Sequence, residues 1–131
     1  MIDNLDTPSS ADNHNKIWNT RRNHQAWWLY LREDARSVQV SPYAAAARAT
    51  DLVGLPPAYT FVSTGEPFHD ETLAYVKALR AAGVQAEVDV YEGLYHAFDM
   101  LEPDLPESQL ARQRFCEHFE QACETCFAPQ G

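Results

Sequence analysis

The sequence predicts an α/β domain centred on a single βαβ unit, and three observations carry that reading. The run from Ala58 to Ser63, Ala-Tyr-Thr-Phe-Val-Ser, is β-branched and aromatic on both faces. A strand buried on both sides of a parallel sheet has that composition. The run from Gln85 to Tyr91 alternates, with Ala86, Val88 and Val90 on one side and Glu87 and Asp89 on the other. This predicts a second strand with one wet face, near a sheet edge. Between the two, Leu73, Val76 and Leu79 recur along one helical face, led by Asp70-Glu71 and closed by Gly83. Acidic residues suit the positive end of a helix and glycine suits its stop. Strand, helix, strand at this spacing requires a right-handed crossover, hence parallel strands at about 58–63 and 85–91.

The remaining elements follow in order. Residues 1–16 are rich in Asp, Asn, Ser and Pro with few apolar anchors, and read as irregular surface chain. Trp18 to about Arg32 carries Trp27, Tyr30 and Leu31 near helical spacing, which predicts a helix. Ser41-Pro42-Tyr43 breaks it, Ala44 to Ala49 suits one or two helical turns, and Gly54-Leu55-Pro56-Pro57 ends them. Pro106 opens a last helix reaching about Cys126, with Ala111, Phe115, Phe119, Ala122 and Cys126 on one apolar stripe. Residues 1–131 read as one domain, yet two strands with flanking helices close a core poorly, because a two-stranded sheet is marginal alone.

Composition narrows the function. A hydrophobic fraction of 45% excludes a disordered tail. Ten Lys and Arg against nineteen Asp and Glu give a net charge of −9, which repels polyanions. Neither nucleic acid nor an anionic membrane is therefore an expected partner. No apolar run reaches bilayer length and the start lacks the pattern of a secretory signal, so a cytoplasmic protein is expected. Cys116, Cys123 and Cys126 form an odd, one-ended set, which fits a reducing compartment rather than a disulfide framework. Cys123-x-x-Cys126 has no second pair and reads as helix packing. Adjacent Asp70 and Glu71 point apart on a helix, so helix-start charge or backbone hydrogen bonds are expected of them, not a metal. No metal and no cofactor are expected.

The chemistry belongs in the loops that leave the strands at their C-terminal ends. These are Thr64-Gly65-Glu66-Pro67-Phe68-His69-Asp70-Glu71 and Glu92-Gly93-Leu94-Tyr95-His96-Ala97-Phe98-Asp99. An acid after one strand and a histidine after the next lie side by side at one rim of a parallel sheet. That is the placement of an orienting carboxylate and a general base.

The same residues carry a family resemblance. Met1-Ile2-Asp3-Asn4 with Thr7-Pro8-Ser9-Ser10 opens a series that continues through Ala26-Trp27 and Tyr30-Leu31. Ser41-Pro42-Tyr43-Ala44-Ala45, Ala47-Arg48-Ala49, Asp51-Leu52 and Gly54-Leu55-Pro56-Pro57 follow. Glu66-Pro67-Phe68, Asp70-Glu71, Ala82-Gly83-Val84 and Tyr95-His96-Ala97-Phe98-Asp99 complete it. In this order the series resembles the C-terminal part of the hormone-sensitive-lipase-like esterases of the α/β-hydrolase superfamily, over nearly the whole chain.

The resemblance implies a partial α/β-hydrolase fold in which Glu66 holds the place of the triad acid and His96 that of the base. The family more often has Asp at the acid position. Leu94, Tyr95 and Phe98 flank the base; in a complete enzyme they would line an acyl or alcohol pocket, or else pack to fix the histidine loop. Ser63-Thr64-Gly65 departs from the family, where a glycine usually follows the strand directly. The larger departure is that the superfamily order of Ser, acid, His places a Gly-x-Ser-x-Gly elbow and an oxyanion loop upstream. Here Gly54, Gly65, Gly83, Gly93 and Gly131 are the glycines, and none flanks a serine in that pattern.

The expectation is the C-terminal half of a carboxylic-ester hydrolase acting on short to medium acyl esters, with acid and histidine but no nucleophile. Its alternative is an inactive truncated module acting through self-association, as a homo-oligomer, or by pairing with a separate N-terminal half. A receiver- or flavodoxin-like binding domain fits the βαβ unit but none of the motif series.

Overall fold

The computed structural model describes residues 1–126. In chain order it contains α1 (Pro8–Ala11), α2 (Thr20–Leu31), β1 (Ala58–Ser63), α3 (His69–Ala81), β2 (Ala86–Tyr91), α4 (Phe98–Leu101) and α5 (Pro106–Thr125). Tight 3₁₀ turns occupy Arg32–Arg36 and Ala46–Arg48. The two strands pair in parallel, in register from Ala58 opposite Ala86 to Ser63 opposite Tyr91. Ala58 N donates to Gln85 O and Thr64 N to Tyr91 O, each over 2.9 Å, so the ladder runs one step beyond both strand ends. The βαβ unit thus falls where the pattern of apolar residues puts it.

Local chemistry fixes the ends of α3. Gly83 adopts a φ of +81°, the left-handed backbone that closes a helix. Val84 N donates to Leu79 O and Gly83 N to Arg80 O, the paired bonds of a Schellman stop. At the start of α2, the Asn19 side chain accepts from Arg22 N over 3.0 Å and caps the helix.

The interior is divided. Leu52, Val76, Leu79, Val84 and Ala86 pack where α3 meets β2. Trp27, Ala35 and Ala45 form a second cluster under α2. Tyr91, Phe98 and Ala111 form a third, against Phe61 and Leu94, where α4 and α5 cover the end of the sheet.

Four features depart from the sequence expectations. β1 is buried only at Val62 and Ser63; Ala58 is exposed and residues 59–61 are half-buried, because the sheet has two strands among the described residues. In β2, Val90 is exposed and Asp89 half-buried, since Tyr59 and Arg114 draw the Asp89 carboxylate inward. On α5, Ala111 is buried while Phe115 and Phe119 are 50% and 61% exposed, so the apolar stripe is covered only near its start. Residues 1–16 are not loose surface chain: Asn4 and Ser10 are buried, and α1 packs near α3 through Ser9 and Asp70.

Candidate active site

The acid loop is built on the last residue of β1. Ser63 is fully buried; its N–H donates to Glu66 Oε1 over 2.8 Å and its hydroxyl donates to Leu94 O. Gly65 N donates to the same hydroxyl over 3.3 Å. A Cβ on Gly65 would overlap the Leu94 carbonyl oxygen, so glycine is required where the two loops touch. This accounts for Ser63-Thr64-Gly65: the serine ties the loops and the glycine lets them meet.

The histidine loop is held from below. Thr64 Oγ1 accepts from Gly93 N over 2.8 Å, joining the loops at their base. Ala97, directly after His96, has a φ of +64°, a left-handed conformation that costs a non-glycine residue about 1–2 kcal/mol. Phe98 offsets it: only 1% exposed, its ring sits 5.4 Å from that of Tyr91 and 6.1 Å from that of Phe61.

These loops bring Glu66 and His96 together at the C-terminal rim. Glu66 Oε2 lies 2.7 Å from His96 Nδ1, and Glu66 Oε1 is fixed by Ser63 N, so both carboxylate oxygens are engaged. Glu66 is 6% exposed, whereas the His96 side chain is 39% exposed. The bond at Nδ1 places the proton there and leaves Nε2 as the ring nitrogen available to a partner. The Phe68 ring stands edge-to-face 5.0 Å from the imidazole and the Trp18 ring lies 6.0 Å away. Both aromatic rings, with Thr60, Phe61 and Val62, line a cleft of about 400 Å³ that also takes in Glu66 and His96.

Leu94, Tyr95 and Phe98 are placed otherwise than as walls of that cleft. Phe98 is core. Leu94 packs on the third cluster and gives its carbonyl to Ser63. The Tyr95 hydroxyl donates to Glu102 on the far side of α4. All three fix the histidine loop. Asp70 and Glu71 take the backbone hydrogen bonds expected of them. Asp70 accepts from Ser9 N over 2.8 Å, and buried Glu71 accepts from Ile2 N over 2.6 Å and Asp3 N over 3.4 Å. Burial pushes the Glu71 carboxyl above its ordinary value. Among the described residues, no group of three or more His, Cys, Asp or Glu is placed to hold a metal ion. No described helix is long and apolar enough to cross a membrane.

Sequence reasoning missed Trp18 as a wall of the cleft and missed Asn13 and Asn15, whose side chains reach the acid loop. The only signal was the density of asparagine before α2, at 13, 15 and 19.

Glu66 and His96 are thus bonded at the C-terminal rim of two parallel strands, and comparison with known proteins shows the family in which this arrangement stands. The family model for the alpha/beta hydrolase fold matches residues 2–100. The chain belongs to that family, in its fold-3 type. It is similar to the esterase LipW from Mycobacterium marinum, with 28% identity and a TM-score of 0.76 over 83% of this chain and 34% of that one. It is similar also to an esterase from Pyrobaculum calidifontis, with 26% identity and a TM-score of 0.77 over 93% of this chain and 40% of that one. The AB hydrolase superfamily protein B1A11.02 of Schizosaccharomyces pombe is 43% identical over 51 residues, 39% of this chain and 15% of that protein. The chain therefore spans well under half the length of these relatives.

Proposed function

We propose that this chain supplies the acid and the general base of a serine carboxylic-ester hydrolase. In this reading the nucleophile and oxyanion donors come from polypeptide outside these 131 residues. The observation that carries it is the 2.7 Å bond from Glu66 to His96 Nδ1, with the imidazole open to the cleft. A serine brought to Nε2 attacks the ester carbonyl as His96 takes its proton. Glu66 holds the ring and stabilises the imidazolium. His96 then returns the proton to the leaving alcohol, and water, activated in the same way, releases the acid. The substrate is a small-molecule ester of short to medium acyl length, no cofactor enters the cycle, and the cysteine set favours the cytoplasm.

Four of the chain's six serines, 9, 10, 63 and 108, are held in ways that support an external nucleophile. Ser63 and Ser108 are buried, with hydroxyls on Leu94 O and on Phe98 O over 3.3 Å. Ser9 donates to Pro67 O, and Ser10 is buried in α1. The test is a serine-reactive phosphonate, added to the chain alone and to the chain mixed with a segment carrying a Gly-x-Ser-x-Gly elbow. A stoichiometric adduct is expected only in the mixture, on the elbow serine, and lost with His96→Ala or Glu66→Ala. An adduct on a serine of this chain, or none in a mixture shown to associate, overturns the reading.

The exposed Phe115, Phe119 and Val90 favour a second reading, in which the chain acts only through association, as a homo-oligomer or with a separate N-terminal half. Sedimentation as a monomer with a sharp cooperative melt counts against it.

A further inference from the structure

The carbonyl of Gly65, one residue before the acid, accepts from two side chains remote in sequence. Asn13 Nδ2 donates to it over 3.1 Å, and Asn15 Nδ2 donates to the same oxygen. A carbonyl oxygen has two lone pairs, so the pair of amides saturates it. Both asparagines are themselves tied down. Asn15 N donates to Asn13 Oδ1 over 3.1 Å, and Asn13 N donates to Thr20 Oγ1 over 2.6 Å. Asn15 O accepts from Asn19 Nδ2 over 3.0 Å, and Asn19 is the residue that caps α2. The bracket is therefore built on the first turn of a helix anchored by buried Asn23 and Trp27. On its other side, Gly65 meets the Leu94 carbonyl of the histidine loop with no room for a side chain. One peptide is clamped between the two, and Glu66 is the next residue.

We propose that Asn13 and Asn15 are positioning residues for Glu66. They fix the Gly65 peptide against the histidine loop, so that the Glu66 carboxylate is presented to His96 Nδ1 rather than turning with a mobile loop. This rests on the reading of Glu66 and His96 as an acid–base pair. It assigns a task to a stretch that in sequence is only polar connecting chain. Without the bracket, Ser63 N still holds Glu66 Oε1, so the pair weakens rather than disappears.

The test is the resonance of the His96 Nδ1–H proton, followed by NMR on the full chain. Wild type, Glu66→Ala, Asn13→Ala, Asn15→Ala and the double variant are compared. In the wild type the bond to Glu66 Oε2 holds this proton far downfield, and Glu66→Ala removes the acceptor and moves it upfield. The double variant is expected to move it the same way by a smaller amount, with each single variant moving it less. A purely structural role would lower the melting temperature and leave this resonance in place while the chain is folded. A wild-type resonance in the folded double variant, while Glu66→Ala moves it, overturns the proposal. If the double variant does not fold, the same outcome in both single variants overturns it. An unmoved resonance in Glu66→Ala defeats the acid–base reading instead.

Discussion

Two parts of the sheet hold a carboxylate in a polar cluster, and they differ in what they leave open. At the C-terminal rim, Glu66 meets His96, whose ring is exposed and keeps one nitrogen available. On the face covered by α5, Asp89 accepts from the Tyr59 hydroxyl over 2.8 Å and from Arg114 Nε over 3.1 Å. There His118 stacks on Tyr59 with ring centres 3.8 Å apart. Partial burial pushes the Asp89 carboxyl up, but the bonds from Arg114 and Tyr59 outweigh it and hold it below its ordinary range. Burial, and then the bond to Asp89, push the Tyr59 phenol well above its own. The Asp89 carboxylate is matched to a cation and to a hydroxyl donor, both through Oδ2. At the rim both Glu66 oxygens are engaged, and the ring they hold keeps one nitrogen lone pair beside a cleft. What separates the two clusters is that open nitrogen, not the number of polar groups.

The largest effect expected breaks the comparison at the rim. In the mixture with an elbow-bearing segment, His96→Ala is expected to lower phosphonate labelling or ester turnover by about 10⁴-fold or more, and Glu66→Ala by about 10²–10⁴-fold. Asp89→Asn and Arg114→Ala leave the rate within a few-fold. Rates falling equally at both clusters would make the rim pair structural.

Next in size is the support beneath the rim. Phe98→Ala empties a fully buried site under the histidine loop and is expected to cost about 3–5 kcal/mol in urea unfolding. Phe119→Ala, on the exposed flank of α5, is expected to cost well under about 1 kcal/mol in the isolated chain. Comparable losses at the two sites would mean that α5 is covered in solution, which favours self-association. Gly65→Ala brings a side chain onto the Leu94 carbonyl and is expected to cost about 1–3 kcal/mol while parting the two loops. A crystal structure of that variant should show a longer distance from Glu66 to His96.

The βαβ unit and the loops at its rim were legible because they are written in short-range pattern, while the choice of Glu66 and His96 within those loops rested on the family resemblance. Apolar spacing in α3, the glycine stop at Gly83 and the position of each loop after its strand need no knowledge of distant contacts. Residues 1–16 were not legible, because they are held by backbone N–H groups on Glu71 and by side-chain amides on Gly65 O. Hydrogen bonds between residues fifty to seventy positions apart leave no periodicity. Phe98 was open to two readings for a related reason. A phenylalanine beside a catalytic-type histidine reads equally as pocket wall or as anchor, and only the left-handed turn at Ala97 swings it into the core. The burial of β1 was overstated because it depends on what lies beside the strand, which its own residues do not encode.

The smallest expected effect sharpens the contrast from the α5 face and follows from the sign of the Asp89 shift. Its carboxyl is held below its unfolded value, so its contribution to stability is present above the unfolded pKa of about 3.9 and is lost as pH falls through the folded value. The group is nearly a third exposed, so solvent screening keeps that contribution under about 1 kcal/mol. Urea midpoints measured from pH 6 to pH 2 should show a steeper acid loss in wild type than in Asp89→Asn, with the two curves converging at the acid end. Glu71 works in the opposite direction. Its carboxyl is raised by burial, so its contribution is full below the unfolded value and fades as pH rises through the folded one. Glu71→Gln should therefore remove that fading as pH rises and leave in place the acid loss, which Asp89 shares with the Asp6 carboxyl, where partial burial is outweighed by Arg36 and His24. If Asp89→Asn leaves the acid limb unchanged, Asp89 is not held by its partners in solution. The α5-face cluster would then lose its standing as the charge-matched counterpart of the rim.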